Sequence, residues 1–94
     1  DQVTVHYQGR FTDGRVFDDT HRSGQPFTFR LGDAGQVING IEMAVHQLRK
    51  GGRGIFAMRS SMAFGAKGSS TGMVPPFTPV VYEVEVIDVV RAHL

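Results

Sequence analysis

The chain has 94 residues, a net charge of +1 and no cysteine. Its length fits one domain with one hydrophobic core, and the absence of cysteine excludes disulfides. The ten lysine and arginine residues are spread along the chain, which argues against nucleic acid as a partner, and no apolar run approaches the roughly 20 residues of a membrane span. The absence of cysteine favours the cytosol, so we expect a cytoplasmic protein, and no signal-peptide pattern opens the chain.

The start of the chain is typical of a segment taken from a longer protein. Asp1 stands where a methionine would begin a complete protein, and a strand pattern follows almost at once. We therefore expect a single domain over residues 1–94 that was cut from a longer chain. Whether other domains or targeting segments accompany it is left open by the sequence.

Alternation of apolar and polar residues predicts four or more β-strands. These stretches run over residues 3–11, 16–17, 27–31, 55–59 and 80–90. Asp13 and Gly14 predict a hairpin turn between the first two strands, and residues 18–26 read as a polar loop. The last strand has the strongest pattern, with one face formed by Val80, Tyr82, Val84 and Val86.

The stretch from Asn39 to Gly51 predicts the only clear helix. Its apolar residues follow the helical spacing i, i+3, i+4 and i+7, and they are Ile41, Ala44, Val45 and Leu48. Asn39 is expected to be the N-cap, and Glu42 is expected to reach back to the backbone N–H of that cap. Residues 32–35 are expected to turn the chain from the preceding strand toward this helix.

These elements predict an α+β domain: a bent antiparallel sheet, or half-open barrel, wrapped around one short α-helix. Residues 60–79 join two strands, and their mixture of apolar side chains and adjacent prolines is typical of a functional loop. We assign to the plain core Phe29, Val45, Leu48, Phe56 and Met58. The remaining aromatic residues are many for so small a domain, so we expect some of them to line a cavity.

Motifs of other chemistries have the wrong spacing. The glycines around Lys67 lack the residue order of a phosphate-binding loop, and the four histidines lack a metal-ligand spacing, so we expect no metal and no cofactor. Residues 68–72 match the residue order Gly-x-Ser-x-Gly, but no helix pattern follows them as a nucleophile elbow requires, and cysteine is absent, so the usual nucleophiles of acyl transfer have little support. Asp18 and Asp19 fit two readings, a pair of acids for proton transfer or two residues that cap a turn.

Seven short blocks carry a family resemblance, and they occur in order over nearly the whole chain. They are Val5-His6-Tyr7 with Gly9; Asp13-Gly14 with Val16-Phe17-Asp18; Pro26-Phe27-Thr28-Phe29 with Leu31-Gly32; Val37-Ile38 with Gly40; Ala63-Phe64-Gly65-Ala66; Val74-Pro75-Pro76; and Tyr82-Glu83-Val84-Glu85. In these blocks the chain resembles the FKBP-type peptidyl-prolyl cis–trans isomerases, the FK506-binding protein family. The family's fold agrees with the one that the patterning predicts. The resemblance also implies that the family's first edge strand would lie upstream of Asp1.

Position by position, the resemblance implies an apolar pocket with few polar groups. Its catalytic residues would be Tyr7, Phe17, Asp18, Ile38 and Tyr82. Its substrate- or ligand-binding residues would be Phe27, Val37, Ile41, Phe64 and Val74. In this reading the Ile38 N–H is available to a carbonyl, Ile41 forms the floor and Val74 lies under the long loop. For each residue the alternative is ordinary packing in the core.

Two positions depart from the family pattern. The floor position is usually tryptophan in the most active members, and here it is Ile41. The loop position that usually carries a tyrosine is Phe64, and the missing hydroxyl removes a hydrogen bond worth about 0.5–1.5 kcal/mol. The long loop also holds one more residue than usual, around residues 69–71.

The resemblance implies rotation of X–Pro peptide bonds in protein substrates, a reaction that needs no acid, base or metal. Rotation is slow because amide resonance must be lost, and a desolvated apolar pocket suits the less polar twisted state. The expected partners are proline-containing peptides or proteins and the macrolides tacrolimus and rapamycin, bound by a monomeric folding chaperone. The alternative is a protein-interaction module in which the changes at Ile41 and Phe64 have made catalysis weak or absent.

Overall fold

Five antiparallel strands form one sheet in the computed structural model, which describes residues 2–32, 37–69 and 71–91. The strands are β1 (Gln2–Phe11), β2 (Val16–Asp19), β3 (Phe27–Arg30), β4 (Arg53–Met58) and β5 (Val80–Val90). Two helices, α1 (Thr20–Ser23) and α2 (Asn39–Gln47), and a 3-10 turn (Ser60–Met62) complete the described elements. The sheet is not closed, and the predicted α+β fold is confirmed.

β1 is the central strand of this sheet. On one side it pairs with β5 along its whole length, from Gln2 opposite Val90 to Phe11 opposite Val80. Its other side is divided, because residues 2–5 pair with β3 and residues 8–10 pair with β2. β4 pairs with the far side of β5, so the order along the sheet is β2-β1-β5-β4.

The core lies between one face of the sheet and the apolar side of α2. The predicted inward face of β5 is confirmed, since Val80, Tyr82, Val84 and Val86 are all at most 2% exposed. Ile41, Ala44 and Val45 of α2 are buried in the same cluster. Of the predicted plain core residues, Phe29, Val45 and Met58 are buried, whereas Leu48 and Phe56 are partly buried against the cluster.

The ends of α2 differ from the prediction. Asn39 is the first helical residue instead of the N-cap, Ile38 takes the cap position without a side-chain cap bond, and Glu42 Oε1 accepts the Gly32 N–H at 2.7 Å. The helix ends at Gln47 and does not continue to Gly51. The backbone of residues 51–52 bonds to Val86 instead, with the Gly51 N–H donating to the Val86 carbonyl at 2.8 Å, and this pairing draws the chain off the helix axis.

A short helix stands where the sequence predicted only a polar loop. β2 continues through Asp18 and Asp19, and the Asp19 Oδ1 then accepts the His21 N–H at 2.9 Å and caps α1. Gly24 ends this turn with a left-handed φ of 75°. The capping interpretation of the acid pair is therefore right for Asp19.

The turn predicted over residues 32–35 falls mostly outside the described residues. No helix in the described ranges is long and apolar enough to span a membrane.

Gly40 is required by close packing in the first turn of α2. A side chain at this position would overlap the sulfur of Met58 on β4. We expect Gly40→Ala to lower the free energy of unfolding by about 1–3 kcal/mol, the usual cost of overpacking a core. Urea denaturation measures this change. In a Met58→Ala background the same substitution should cost less, and an equal cost in both backgrounds would show that the overlap is not the cause.

Candidate functional site

A continuous row of aromatic rings crosses the sheet. The ring of Phe27 lies 6.3 Å from Tyr7, Tyr7 lies 5.6 Å from Tyr82, and Tyr82 lies 5.8 Å from Phe17, measured between ring centroids. Phe64 from the long loop meets Phe17 edge-on at 6.0 Å. Tilted and edge-on contacts of this kind are the favoured geometry of aromatic pairs. Five of the predicted site residues are thus brought together, namely Tyr7, Phe17, Phe27, Phe64 and Tyr82.

Gly9 makes this row possible, although it is not among the predicted site residues. It lies on β1 directly opposite Tyr82. A Cβ atom at this position would lie 2.8 Å from the Phe17 ring and 3.0 Å from the Tyr82 ring. A glycine inside a strand often marks such a close approach, and this was the available sign in the sequence. Any larger residue at position 9 would separate Phe17 from Tyr82.

Beside the row, a cleft of about 220 Å³ opens under the long loop. Four predicted site residues line it, namely Phe17, Asp18, Phe64 and Val74. Three residues that the sequence analysis did not select complete the lining, namely Ser69, Thr71 and Met73. They belong to the loop that was predicted to be functional as a whole, and Ser70 between them lies outside the described residues.

The other predicted site residues do not line this cleft. Tyr82 is 2% exposed and Ile41 is 3% exposed, so both are buried in the core. Val37 and Ile38 are half-buried where the chain enters α2. Among residues 2–32, 37–69 and 71–91 we find no acceptor for the Ile38 N–H, while the Ile38 carbonyl accepts the Ile41 N–H at 3.0 Å.

Hydrogen bonds between two arms of the long loop shape the cleft. The Ser69 N–H donates to the Val74 carbonyl at 2.9 Å, and the Val74 N–H donates to Ser69 Oγ at 2.9 Å. Further along, the Phe77 N–H donates to the Gly65 carbonyl at 2.9 Å. Because the two arms are joined in this way, Val74 is held at 1% exposure beneath the loop.

Thr20 ties the start of α1 to the strand that carries Tyr7. Its hydroxyl oxygen accepts the Tyr7 N–H at 2.9 Å and lies 3.3 Å from the Tyr7 carbonyl, to which it donates. The same oxygen lies 2.8 Å from Nδ1 of His6. Thr20 is 7% exposed, so these bonds are largely protected from water. They fix the backbone of Tyr7 where β2 no longer pairs with β1.

Asp18 and the two tyrosines form the polar part of the site. The pKa of Tyr7 is raised to about 12, most strongly by burial and then by the charge of the Asp18 carboxylate and a hydrogen bond to it. Burial, followed by the charges of Asp18 and Tyr7, also raises the pKa of Tyr82. Both phenols therefore keep their protons at neutral pH and can donate hydrogen bonds.

The two neighbouring acids have separate tasks. Asp19 accepts the His21 N–H at 2.9 Å and the Gln8 side-chain amide at 3.2 Å, and these bonds hold its pKa below the ordinary value. Asp18 faces Tyr7 and lines the cleft. This division does not support a paired acid and base. In the described parts of the chain, no group of three histidine, aspartate or glutamate side chains is placed to hold a metal ion.

Comparison with known proteins agrees with the geometry. A family model described as FKBP-type peptidyl-prolyl cis-trans isomerase matches residues 1–87. The FK506-binding protein 1 of Dictyostelium discoideum is 42% identical over 85 residues, which cover 90% of this chain and 78% of that protein. The FK506-binding protein of Neisseria meningitidis serogroup C is 38% identical over 88 residues, covering 94% of this chain and 79% of that protein. The macrophage infectivity potentiator of Trypanosoma cruzi is 38% identical over 89 residues, which are 95% of this chain but 43% of that protein.

The raised pKa of Tyr7 predicts a loss of stability at alkaline pH. The folded protein holds this phenolic proton more tightly than the unfolded chain, where tyrosine titrates near 10.0. The resulting stabilisation is complete below about pH 10 and is lost as the pH rises toward about 12. Urea denaturation at a series of pH values measures the decline. Tyr7→Phe should decline less steeply, and an equally steep decline in this variant would contradict the assignment.

Proposed function

The chain belongs to the FKBP-type peptidyl-prolyl cis–trans isomerase family, and from this premise we propose that it rotates X–Pro bonds in the cleft beside Phe17 and Phe64. The observation that carries the proposal is the row of rings behind this cleft, with one carboxylate, Asp18, at its edge. This arrangement offers an apolar surface and a few directed hydrogen bonds. Such a site suits a reaction that changes shape and polarity without transferring a proton.

The physical basis of catalysis would be differential binding. The planar amide of an X–Pro bond is stabilised by resonance, and the barrier to its rotation in water is about 18–20 kcal/mol. The twisted transition state has lost that resonance and is less polar. An apolar cleft that excludes water therefore favours the twisted state over the planar one, and the difference lowers the barrier.

We assign the groups around the substrate as follows. The proline ring enters a space that has Tyr7 and Phe27 on one side and Phe17 and Phe64 on the other. Tyr82 and Ile41 form the floor of this space. The Ile38 N–H donates to a substrate carbonyl. Asp18 acts at the edge, where its carboxylate orients the Tyr7 hydroxyl. The burial of Tyr82 and Ile41 supports a floor that is already closed to water.

The substrates in this proposal are proline-containing segments of other proteins. The names of the relatives from Dictyostelium and Neisseria state that those proteins bind FK506, and we propose that this chain binds the same class of macrolide, tacrolimus and rapamycin. Binding should be weaker than in members with tryptophan and tyrosine, since Ile41 and Phe64 offer less surface and no hydroxyl. A chaperone role, the monomeric state and the cytoplasmic location stay predictions.

A second candidate is an interaction module with feeble catalysis. It is favoured by Ile41, which is 3% exposed and so offers a ligand little contact area. The rate of cis–trans exchange in a short X–Pro peptide, measured by NMR, separates the two functions. We expect acceleration that rapamycin abolishes. A folded protein that gives no acceleration would support the interaction module.

Restoring the missing hydroxyl should strengthen ligand binding. We expect Phe64→Tyr to tighten rapamycin binding about 2- to 12-fold, which corresponds to the ~0.5–1.5 kcal/mol of one hydrogen bond. Isothermal titration calorimetry measures the dissociation constant. Phe77→Tyr is the matched control, because this ring belongs to the same loop, is 72% exposed and does not line the cleft. Equal gains in the two variants would place the ligand elsewhere.

Removing groups from the cleft should reduce isomerisation. We expect Asp18→Ala to lower kcat/KM about 2- to 12-fold through loss of a hydrogen bond of ordinary strength, and Phe17→Ala to lower it further because a wall of the cleft is lost. The peptide exchange assay measures both. Asp13→Ala is the control, since Asp13 is an exposed acid in the hairpin turn that bonds Arg15. Unchanged activity in both cleft variants would show that the cleft is in the wrong place.

A further inference from the structure

A second groove opens between α2, β4 and the 3-10 turn. It shares no lining residue with the cleft beside Phe17 and Phe64, which we call the aromatic cleft. Its volume is about 250 Å³, slightly larger than that of the cleft. Its lining is mostly apolar and includes Met43 and Gln47 from α2, Phe56 and Met58 from β4, and Met62 from the turn. We call it the methionine groove, because three of the four methionines of the chain line it.

The methionines give this groove an adaptable apolar surface. Met43 is 52% exposed, so an apolar side chain on the outer side of α2 faces water. Methionine is unbranched and polarizable, and it is frequent at protein surfaces that adjust to a partner. The groove is smaller than the usual ~300–1,000 Å³ of a site for drug-sized molecules. It therefore fits one large apolar side chain better than a whole small molecule.

Arg59 gives the groove its charge. It is the only charged residue in the lining, it is exposed, and its guanidinium makes no hydrogen bond or ion pair with any residue of the described ranges. Arg53 on the neighbouring strand β4, by contrast, pairs with Glu83 at 3.3 Å. The acid of α2, Glu42, accepts the Gly32 N–H and is not available to the groove. The groove thus combines an apolar floor with one positive charge that no residue in the described part of the chain pairs with.

We propose that the methionine groove docks an acidic segment of a partner protein. One large apolar side chain of that segment enters among Met43, Met58 and Met62, and a neighbouring carboxylate pairs with Arg59. Charge complementarity argues for this occupant, because the groove holds a cation and no acid. A basic or neutral segment would leave Arg59 unpaired. The proposal does not depend on the isomerase site, since the two sites have separate linings.

NMR of protein labelled with ¹³C at the methionine methyl groups tests the proposal directly. The probe is the acetylated and amidated peptide Glu-Glu-Phe-Glu-Glu. We expect it to shift the methyl signals of Met43, Met58 and Met62 and to leave Met73, which lines the aromatic cleft, unchanged. The peptides Glu-Glu-Ala-Glu-Glu and Lys-Lys-Phe-Lys-Lys should give no such shifts, because one lacks the apolar anchor and the other has the wrong charge.

A charge reversal tests the role of Arg59. We expect Arg59→Glu to weaken binding of the acidic probe at least fivefold. Arg22→Glu is the matched control, since it makes the same change at an exposed arginine of α1 that does not line the groove. Equal weakening in the two variants, no shifts at millimolar probe, or shifts confined to Met73 would each overturn the proposal. Rapamycin added to the same sample should shift the methyl signal of Met73 and leave the three groove signals in place. A failure of the proposed ligand site and a failure of the proposed docking site can therefore be told apart.

Discussion

The pairing of β1 with three other strands is the constraint on which the site depends. β5 takes one side of β1 over its full length, and β3 and β2 divide the other side. Each of these four strands contributes one ring to the row, so Tyr7, Tyr82, Phe27 and Phe17 meet although they are distant in sequence. A slip of one residue in any pairing would turn a ring to the opposite face. The ladder of backbone bonds therefore sets the spacing of the rings.

α2 serves three environments with its nine residues. Ala44 and Val45 complete the core against the sheet, Ile41 is the proposed floor of the aromatic site, and Met43 lines the second groove. The close contact between Gly40 and Met58 joins the first turn of this helix to β4. A change in how α2 packs would be felt at both sites, because one short rigid element borders them. Stability and binding are thus coupled through this helix.

The sequence predicted the strands well because their periodicity is imposed by a buried face. The alternation in β5 is the clearest case, with Val84 fully buried and Ile87 exposed. Prediction from the sequence failed where a hydrogen bond between residues distant in sequence decides where an element begins or ends. The end of α2 at Gln47 is set by the pairing of residues 51–52 with Val86, and α1 is held by the bonds of Thr20 to β1. Neither partner is near in sequence, so local patterns carry no trace of them.

The aromatic residues of the candidate site were predictable from the sequence. The loop residues that line the cleft and the role of Gly9 were not. Large rings at strand ends are unusual enough to be noticed, and the family resemblance then assigned them. Ser69, Thr71 and Met73 line the cleft only because the two arms of the loop are bonded to each other. Gly9 matters through a ring-to-backbone distance, which becomes visible only when Phe17 and Tyr82 are placed in space.

The short strands at the margins of this open sheet limit its tendency to pair with the sheet of another molecule. The two longest strands, of 10 and 11 residues, lie inside the sheet, and the strands at its margins have only 4 to 6 residues. A long exposed edge would offer unpaired backbone groups to a second chain and would template intermolecular β-structure. Here the segments richest in valine have their backbone groups largely occupied by neighbours. An incomplete barrel can therefore leave a gap for a ligand and still resist aggregation at high concentration.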